Sequence, residues 1–382
     1  MSGQIFQWRS LRYLDWRIIF IIIGLMLVSL ITLASASPQP LRDASEETIW
    51  TPVVLSQLRW FFLGSICYLC AATFNYHKLR EWTWFLYLFT LIALLGLFFV
   101  PAIQNVHRWY RIPGLNYSFQ PSEYAKLAVV IALSWYIERR RPMERSFSTA
   151  IGALAISLIP FLLILKQPDL GTALVLLPIS LVIFYLGGIH PFVVRVGLSA
   201  LCIALGVVSM VFSGIISHEM LRPYATQYIR EYQYERLNPN LHHQRASTTA
   251  IALGGVTGQG WFQGEFSRHG WLPAPYTDSV FPAFAEEFGM VGLITLLSLF
   301  YALIYYCFQA AIVAKDAFGR LLAAGISVYL AVHVLLNVGM MCQLFPVTGV
   351  PLILISYGGS SILSTMIALG IIQSIYARRF TF

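Results

Sequence analysis

Long apolar runs alternate with short polar turns along the chain. Ten such runs stand out: Trp16 to Ala34, Val54 to Phe74, Trp82 to Val100, Tyr124 to Ile137, Phe147 to Leu165, Gly171 to Gly188, Phe192 to Ile216, Phe288 to Val313, Leu321 to Cys342 and Gly358 to Tyr376. A bilayer core takes about 20 apolar residues per helix, so each run predicts a span, although the fourth is short and the second contains Arg59. The pattern predicts an all-α integral membrane fold of about ten transmembrane helices in a single polytopic domain, residues 1–382. Between the seventh and eighth runs, residues 217–287 hold no spanning run and form a large extracytoplasmic loop. Glu219 to Gln244 spaces Met220, Tyr224, Tyr228 and Tyr232 at helical intervals among Arg222, Arg230, Glu231 and Arg236, which predicts an interfacial amphipathic helix. The last outer segment, Gln343 to Ser361, is apolar yet studded with Pro and Gly. Irregular backbone at that depth is tolerated only in protein or lining a cavity, so a re-entrant segment is expected.

Composition agrees: 58% of the 382 residues are apolar, 11% are charged, and mean hydropathy is +0.69. Charge then sets the orientation, because Lys and Arg collect on the cytoplasmic side. With both termini cytoplasmic, the inner face holds fourteen cations against five acids, including Arg9, Arg12, Arg17, Arg139, Arg140 and Arg141, and the outer face is close to neutral. The basic residues are scattered over short turns, which excludes a nucleic-acid stripe. Ala34-Ser35-Ala36-Ser37 has the form of a signal peptidase site, but the preceding apolar run is longer than a signal peptide requires. The five cysteines lie in or at the ends of apolar runs, and Cys67-Tyr68-Leu69-Cys70 reads as packing and not as a redox pair.

Ionisable residues gather at the outer helix ends, where they are costly and therefore candidates for function. Arg108 and Arg111 follow the third run, Glu123 and Lys126 enter the fourth, and Lys166 and Asp169 lie between the fifth and sixth. Glu123 and Lys126, three apart, share a helix face and can neutralise each other. His333 and Asn337, four apart in the ninth run, are expected to hydrogen-bond a neighbouring helix. The glycine-rich stretch Ala252 to Gly264 lacks the strand and the lysine of a nucleotide-phosphate loop. After it, Trp271-Leu-Pro-Ala-Pro-Tyr-Thr-Asp278 places one carboxylate in an aromatic, Pro-rich turn just outside the next span, and Asp278 is the leading catalytic candidate. No metal-ligand spacing is present.

Taken together, Gln120-Pro-Ser-Glu-Tyr-Ala-Lys126, Lys166-Gln-Pro-Asp-Leu-Gly-Thr172, Gly258-Gln-Gly260, Leu272-Pro with Thr277-Asp278, Ala285-Glu-Glu-Phe-Gly289, Phe345-Pro-Val-Thr-Gly-Val-Pro-Leu and Ser356-Tyr-Gly-Gly-Ser-Ser361 resemble the SEDS family (shape, elongation, division and sporulation) over nearly the whole chain. The Pro-Val-Thr-Gly-Val-Pro form resembles the elongation branch more than the division branch. Departures are local: Ala274 stands where the family commonly has Glu, Ala250-Ile-Ala-Leu-Gly-Gly255 replaces Ala-Ile-Gly-Ser-Gly-Gly, Ser279-Val-Phe follows the Asp, and Pro351-Leu-Ile-Leu replaces Pro-Leu-Pro-Phe.

The resemblance implies a peptidoglycan glycosyltransferase that polymerises lipid II on the outer face of the bacterial plasma membrane during elongation. Asp278 matches the family's essential aspartate and would act as general base on the acceptor hydroxyl. One carboxylate suits direct displacement with inversion better than a double displacement, which would want a second. Arg108, Lys126 and Lys166 would bind pyrophosphate, oriented by Glu123 and Asp169. A divalent cation, Mg2+ or Mn2+, would assist the leaving group if one is used. A class B penicillin-binding protein and other elongation-machinery proteins are the implied partners. Two competing readings are a flippase for the same lipid, which predicts polar residues through the spans, and a non-catalytic scaffold for a transpeptidase.

Overall fold

A computed structural model describes residue 6 and residues 8–37, 49–101, 108–112, 117–143, 145–227, 231–238 and 241–380. In chain order the helices are α1 (Trp16–Ala36), α2 (Pro52–Thr73), α3 (Leu79–Gly96), α4 (Pro121–Arg139), α5 (Phe147–Lys166), α6 (Leu170–Leu186), α7 (Pro191–Phe212), α8 (His218–Ala225), α9 (Glu231–Glu235), α10 (His242–Gly254), α11 (Glu265–Arg268), α12 (Val280–Val313), α13 (Ala317–Met341) and α14 (Gly359–Ala377). All ten apolar runs are helical. Eight helices of the described residues are long and apolar enough to cross a membrane: α1, α2, α3 with its flanking turns, α5, α7, α12, α13 and α14. The other two runs form α6, which has only 17 residues, and α4, which carries Glu123, Lys126, Glu138 and Arg139. Among the described residues the departures from helix include one short hairpin, β1 (Tyr110–Ile112) against β2 (Tyr117–Phe119), with Tyr110 opposite Phe119.

Helix starts follow local chemistry. Proline stands at the first turn of α2, α4 and α7, where its missing N–H costs nothing, and Asp15, Thr51, Asp169 and Asp316 cap α1, α2, α6 and α13 with side-chain acceptors. The core is built from α4, α13 and α14, which bury most of their residues, whereas α7 buries only Val194 and Val211. Small residues let the inner helices touch: a Cβ on Gly370 of α14 would stand 2.6 Å from the Tyr68 carbonyl oxygen of α2.

The outer loop departs from expectation. In place of one amphipathic helix over Glu219 to Gln244 there are three short ones, α8, α9 and the start of α10. Pro223 already sits inside α8, where it removes a backbone donor. Tyr228 and Arg230 lie outside the described residues. Helix α12 begins eight residues before the expected span and breaks at Gly289 (φ 61°, ψ −160°). The break strands two helical carbonyls and two N–H groups, and the glycine-rich segment supplies a partner to each. Gln259 N–H donates to Glu286 O (3.0 Å) and Gly260 N–H to Glu287 O (3.0 Å), while Met290 N–H donates to Gly255 O (3.0 Å) and Val291 N–H to Val256 O (3.2 Å). Glycine is required for this approach, since a Cβ on Gly258 would lie 2.1 Å from Glu287 O.

Segment 343–358 is non-helical and buried from Leu352 to Ile355. Its polar backbone is satisfied from several sides: Ser29 Oγ donates to Ile355 O (2.7 Å), Gln57 Nε2 to Ser356 O (3.3 Å) and Gln244 Nε2 to Phe345 O (2.9 Å). Irregular backbone at this depth is thus enclosed by protein, as the composition requires.

Candidate active site

The turn that carries Asp278 is held from its first residue. Ala274 adopts a left-handed φ of 49°, and its carbonyl accepts from Thr277 N–H and Ser279 N–H, both at 3.1 Å. Three other elements grip the same turn. Ser356 Oγ donates to Thr277 O (2.6 Å), Asn337 Nδ2 to Asp278 O (3.1 Å), and His243 Nε2 lies 2.6 Å from Ser279 Oγ. Fixed in this way, the Asp278 carboxylate faces segment 343–358: its Oδ2 is 3.4 Å from where a Cβ on Gly349 would stand. Arg236 Nη1 is 4.0 Å from that same point and reaches Thr348 O at 3.4 Å. Gly349, at φ 74°, leaves the space between acid and cation open.

A second acid approaches from α6. The helix start abuts the same segment, for a Cβ on Gly171 would lie 2.7 Å from Thr348 O. Asp169, two residues earlier, accepts through Oδ2 from Gln120 Nε2 (3.2 Å), Ser122 Oγ (3.1 Å) and Thr172 Oγ1 (2.9 Å). Arg108 Nη1 stands 4.0 Å from Asp169 Oδ1, and Arg108 also donates to the Pro168 carbonyl. Burial pushes the Asp278 carboxyl above its ordinary range; Arg236 and Arg108 pull it back, and Asp169 adds to the rise. Burial likewise lowers His243, helped by His242 and Arg236, which favours the neutral imidazole beside Ser279.

The six residues singled out from sequence do not form one cluster. Asp278, Asp169 and Arg108 share an electrostatic neighbourhood. Glu123 and Lys126 form a buried pair deeper in the bundle: Lys126 Nζ lies 2.7 Å from Glu123 Oε1 and 2.8 Å from His333 Nε2, with its charge 5.0 Å above the Tyr329 ring. Lys126 is completely buried. Lys166 is exposed at the end of α5. His333 thus meets the neighbouring helix α4, as expected, while Asn337 bonds loop backbone instead.

Sequence reasoning passed over Arg236, His243, Glu286 and Glu287 as site or scaffold residues. Arg236 is one cation among several in a long loop, and only tertiary folding brings it to Asp278. The two glutamates follow Asp278 by eight and nine positions and work as scaffold. Glu286 accepts from Phe266 N–H (2.7 Å), Ser267 N–H (3.2 Å) and Ser267 Oγ (2.8 Å); Glu287 accepts from Phe262 N–H (3.2 Å) and Ser35 Oγ (2.8 Å). Their donors lie some twenty residues back in the chain or in α1, so nothing in the local sequence marked them.

Asp278 and Asp169 are the carboxylates nearest to a divalent cation's requirements. One Asp169 oxygen is already taken by three donors and two guanidiniums supply positive charge, so this donor set fits a metal poorly. Among the described residues no group of three or more His, Cys, Asp or Glu side chains could hold a metal ion.

Known proteins share this architecture. The profile of the FtsW, RodA and SpoVE family, described as cell cycle protein, matches residues 15–380. The peptidoglycan glycosyltransferase MrdB of Escherichia coli K12 is 30% identical over 370 residues, spanning 96% of this chain and 94% of that protein. A chain from a peptidoglycan synthase complex, described as structurally coordinating polymerization and crosslinking, superposes with a TM-score of 0.74 at 28% identity, covering 97% of this chain and 99% of that one. The crystal structure of the rod shape determining protein RodA of Thermus thermophilus superposes with a TM-score of 0.69 at 27% identity, covering 97% and 98%.

Proposed function

The chain belongs to the FtsW, RodA and SpoVE family of cell cycle proteins, and from that premise we propose that it is a peptidoglycan glycosyltransferase polymerising lipid II, with Asp278 as its catalytic residue. The observation that carries the reading is the placement of the Asp278 carboxylate against Gly349, with Arg236 beside it and Arg108 and Asp169 within electrostatic reach.

The chemistry follows from charge and burial. Joining an acceptor sugar hydroxyl to the anomeric carbon of a lipid-linked donor needs a base for the hydroxyl proton and cations for the departing pyrophosphate. Asp278 takes the proton, and its raised affinity for protons makes it a better base than an exposed carboxylate. The guanidiniums of Arg236 and Arg108 face the developing negative charge from fixed positions, where preorganised cations lower the barrier most. Asp169, held by three side-chain donors, orients Arg108. One base at the acceptor supports direct displacement with inversion. Glu123 and Lys126, which satisfy each other and His333, serve the scaffold around this site more than the substrate.

This reading places residues 217–287 outside the bacterial plasma membrane, with the loop carrying the catalytic Asp, and both termini in the cytoplasm. The partner it calls for is a class B penicillin-binding protein, since the similar chain of known structure comes from a complex that couples polymerization and crosslinking. A flippase would need polar groups through the spans. The buried cluster of Glu123, Lys126 and His333 is self-satisfied, whereas Asp278 and its cations gather in the loop region.

The test is polymerisation of labelled lipid II by the purified protein with its cognate transpeptidase, wild type against Asp278→Asn at equal folded yield. Glycan ladders from the wild type that fall by about 100-fold or more in the variant are expected. Ladders from neither protein, with lipid II binding intact, would overturn the enzymatic reading.

A further inference from the structure

Asn337 lies on α13, fully buried, and its side-chain amide bridges the Asp278 turn and segment 343–358, which are also bonded directly by Ser356 Oγ to Thr277 O and Tyr357 N–H to Tyr276 O. One hydrogen goes to the carbonyl of Asp278 (3.1 Å) and the other to the carbonyl of Val350 (2.7 Å). Both neighbours are acceptors, so the amide's orientation is fixed by chemistry: only its NH2 end can face them. Its Oδ1 has no partner, and the two donated bonds are therefore what the residue contributes. Val350 adjoins Gly349, the residue against which the Asp278 carboxylate rests. One turn earlier on the same helix His333 accepts from Lys126 of α4. The turn of α13 that carries Asn337 thus holds both segment 343–358 and the turn of the acid.

We propose that Asn337 is a positioning residue for catalysis: its two amide hydrogens fix the spacing between the Asp278 turn and the Gly349 turn, so that the carboxylate stands at the acceptor hydroxyl in a reactive geometry. The proposal rests on the glycosyltransferase reading above. It differs from a general packing role because the amide touches only the two backbones that frame the reacting groups, and a displacement on the order of 1 Å there costs about 100-fold in rate. Substrate binding energy, which comes from the sugar, pyrophosphate and lipid contacts, is not drawn from Asn337.

Two variants and two readouts test it. Asn337→Leu keeps the volume and removes both donors; Asn337→Asp keeps the shape and removes at least one. Steady-state polymerisation of lipid II with the cognate transpeptidase should show kcat reduced by about 100-fold in Asn337→Leu and by less in Asn337→Asp, with KM within about twofold of the wild type. Amide hydrogen exchange on the same samples, which needs no substrate, should rise by about tenfold in peptides covering residues 275–280 and 346–352 and stay unchanged in α1, α2 and α14. Raised exchange in those two peptides with unchanged kcat would overturn the positioning role. So would a loss carried by KM with kcat retained, which would make Asn337 a binding residue. A wild type that makes no glycan while exchange responds as expected would sink the enzymatic reading and leave the tether standing, and unchanged exchange in both variants would remove the tether itself.

Discussion

Removing the Arg236 charge should move the pH dependence of polymerisation in a known direction. Asp278 Oδ2 and Arg236 Nη1 lie 3.4 Å and 4.0 Å from one common point beside Gly349, so the two atoms are no more than about 7.4 Å apart. At that separation the attraction is about 2 kcal/mol for an effective dielectric of about 20 and about 0.6 kcal/mol in water. Both side chains are partly exposed, which screens the pair, and any shorter separation strengthens it at either dielectric. The Arg236 charge therefore lowers the proton affinity of Asp278, against the rise that burial causes. The sign is then fixed. A base works in its ionised form, and a neighbouring cation favours that form. In Arg236→Gln the carboxylate gives up its charge at a higher pH, so the acid limb of kcat/KM moves to higher pH. The assay is initial polymerisation rate from pH 5 to 9, and the position of the limb is the readout, because losing a pyrophosphate contact lowers the height at every pH. An acid limb that stays put, or moves down, would refute the assignment of Asp278 as a base tuned by Arg236.

Other consequences are equally direct. Glu123→Gln or Lys126→Met alone should destabilise the detergent-solubilised protein by about 3–5 kcal/mol, because each leaves a buried charge without its partner, while the double variant should recover much of the loss; thermal unfolding of the three proteins decides this. Gly258→Ala should lower the melting temperature far more than Gly260→Ala. Both residues have positive φ, but a Cβ at 258 meets a backbone oxygen at 2.1 Å, whereas the nearest atom at 260 is the flexible Gln263 side chain at 3.4 Å. Glu286→Ala strands three donors from Phe266 and Ser267, and proteolysis within 265–268 should become faster in that variant.

The spans were legible because apolar runs of bilayer length have few other uses, and even α4, with four charged residues, kept its apolar stretch from Leu127 to Leu133. The irregular backbone of 343–358 was legible from Pro and Gly in an apolar setting. The loop helices were not, because side-chain periodicity over Glu219 to Gln244 cannot register what Pro223 does to the backbone. Asp278 stood out as a solitary acid in an aromatic turn. Arg236 did not, since its value comes from a meeting with Thr348 and Gly349 across more than a hundred residues of chain. Pairing of Glu123 with Lys126 could be read from their spacing, but its depth could not: the third partner, His333, arrives from α13.

The repaired break in α12 also dictates an order of assembly. A chain made from its N-terminus presents the glycine-rich segment at 255–260 some thirty residues before Met290 and Val291 are available to bond it. Until then its carbonyls and N–H groups must stay in water. When the helix enters the bilayer it arrives with two carbonyls and two N–H groups unpaired at Gly289, so the segment has to close over the break as the helix settles. The wall opposite Asp278 comes later still, since Asn337, Thr348 and Gly349 lie beyond the end of α12. A chain cut after Val313 would keep Arg236, Arg108 and Asp169 but lack the Gly349 turn and the Asn337 amide that hold the acid in place, so the last seventy residues complete the site.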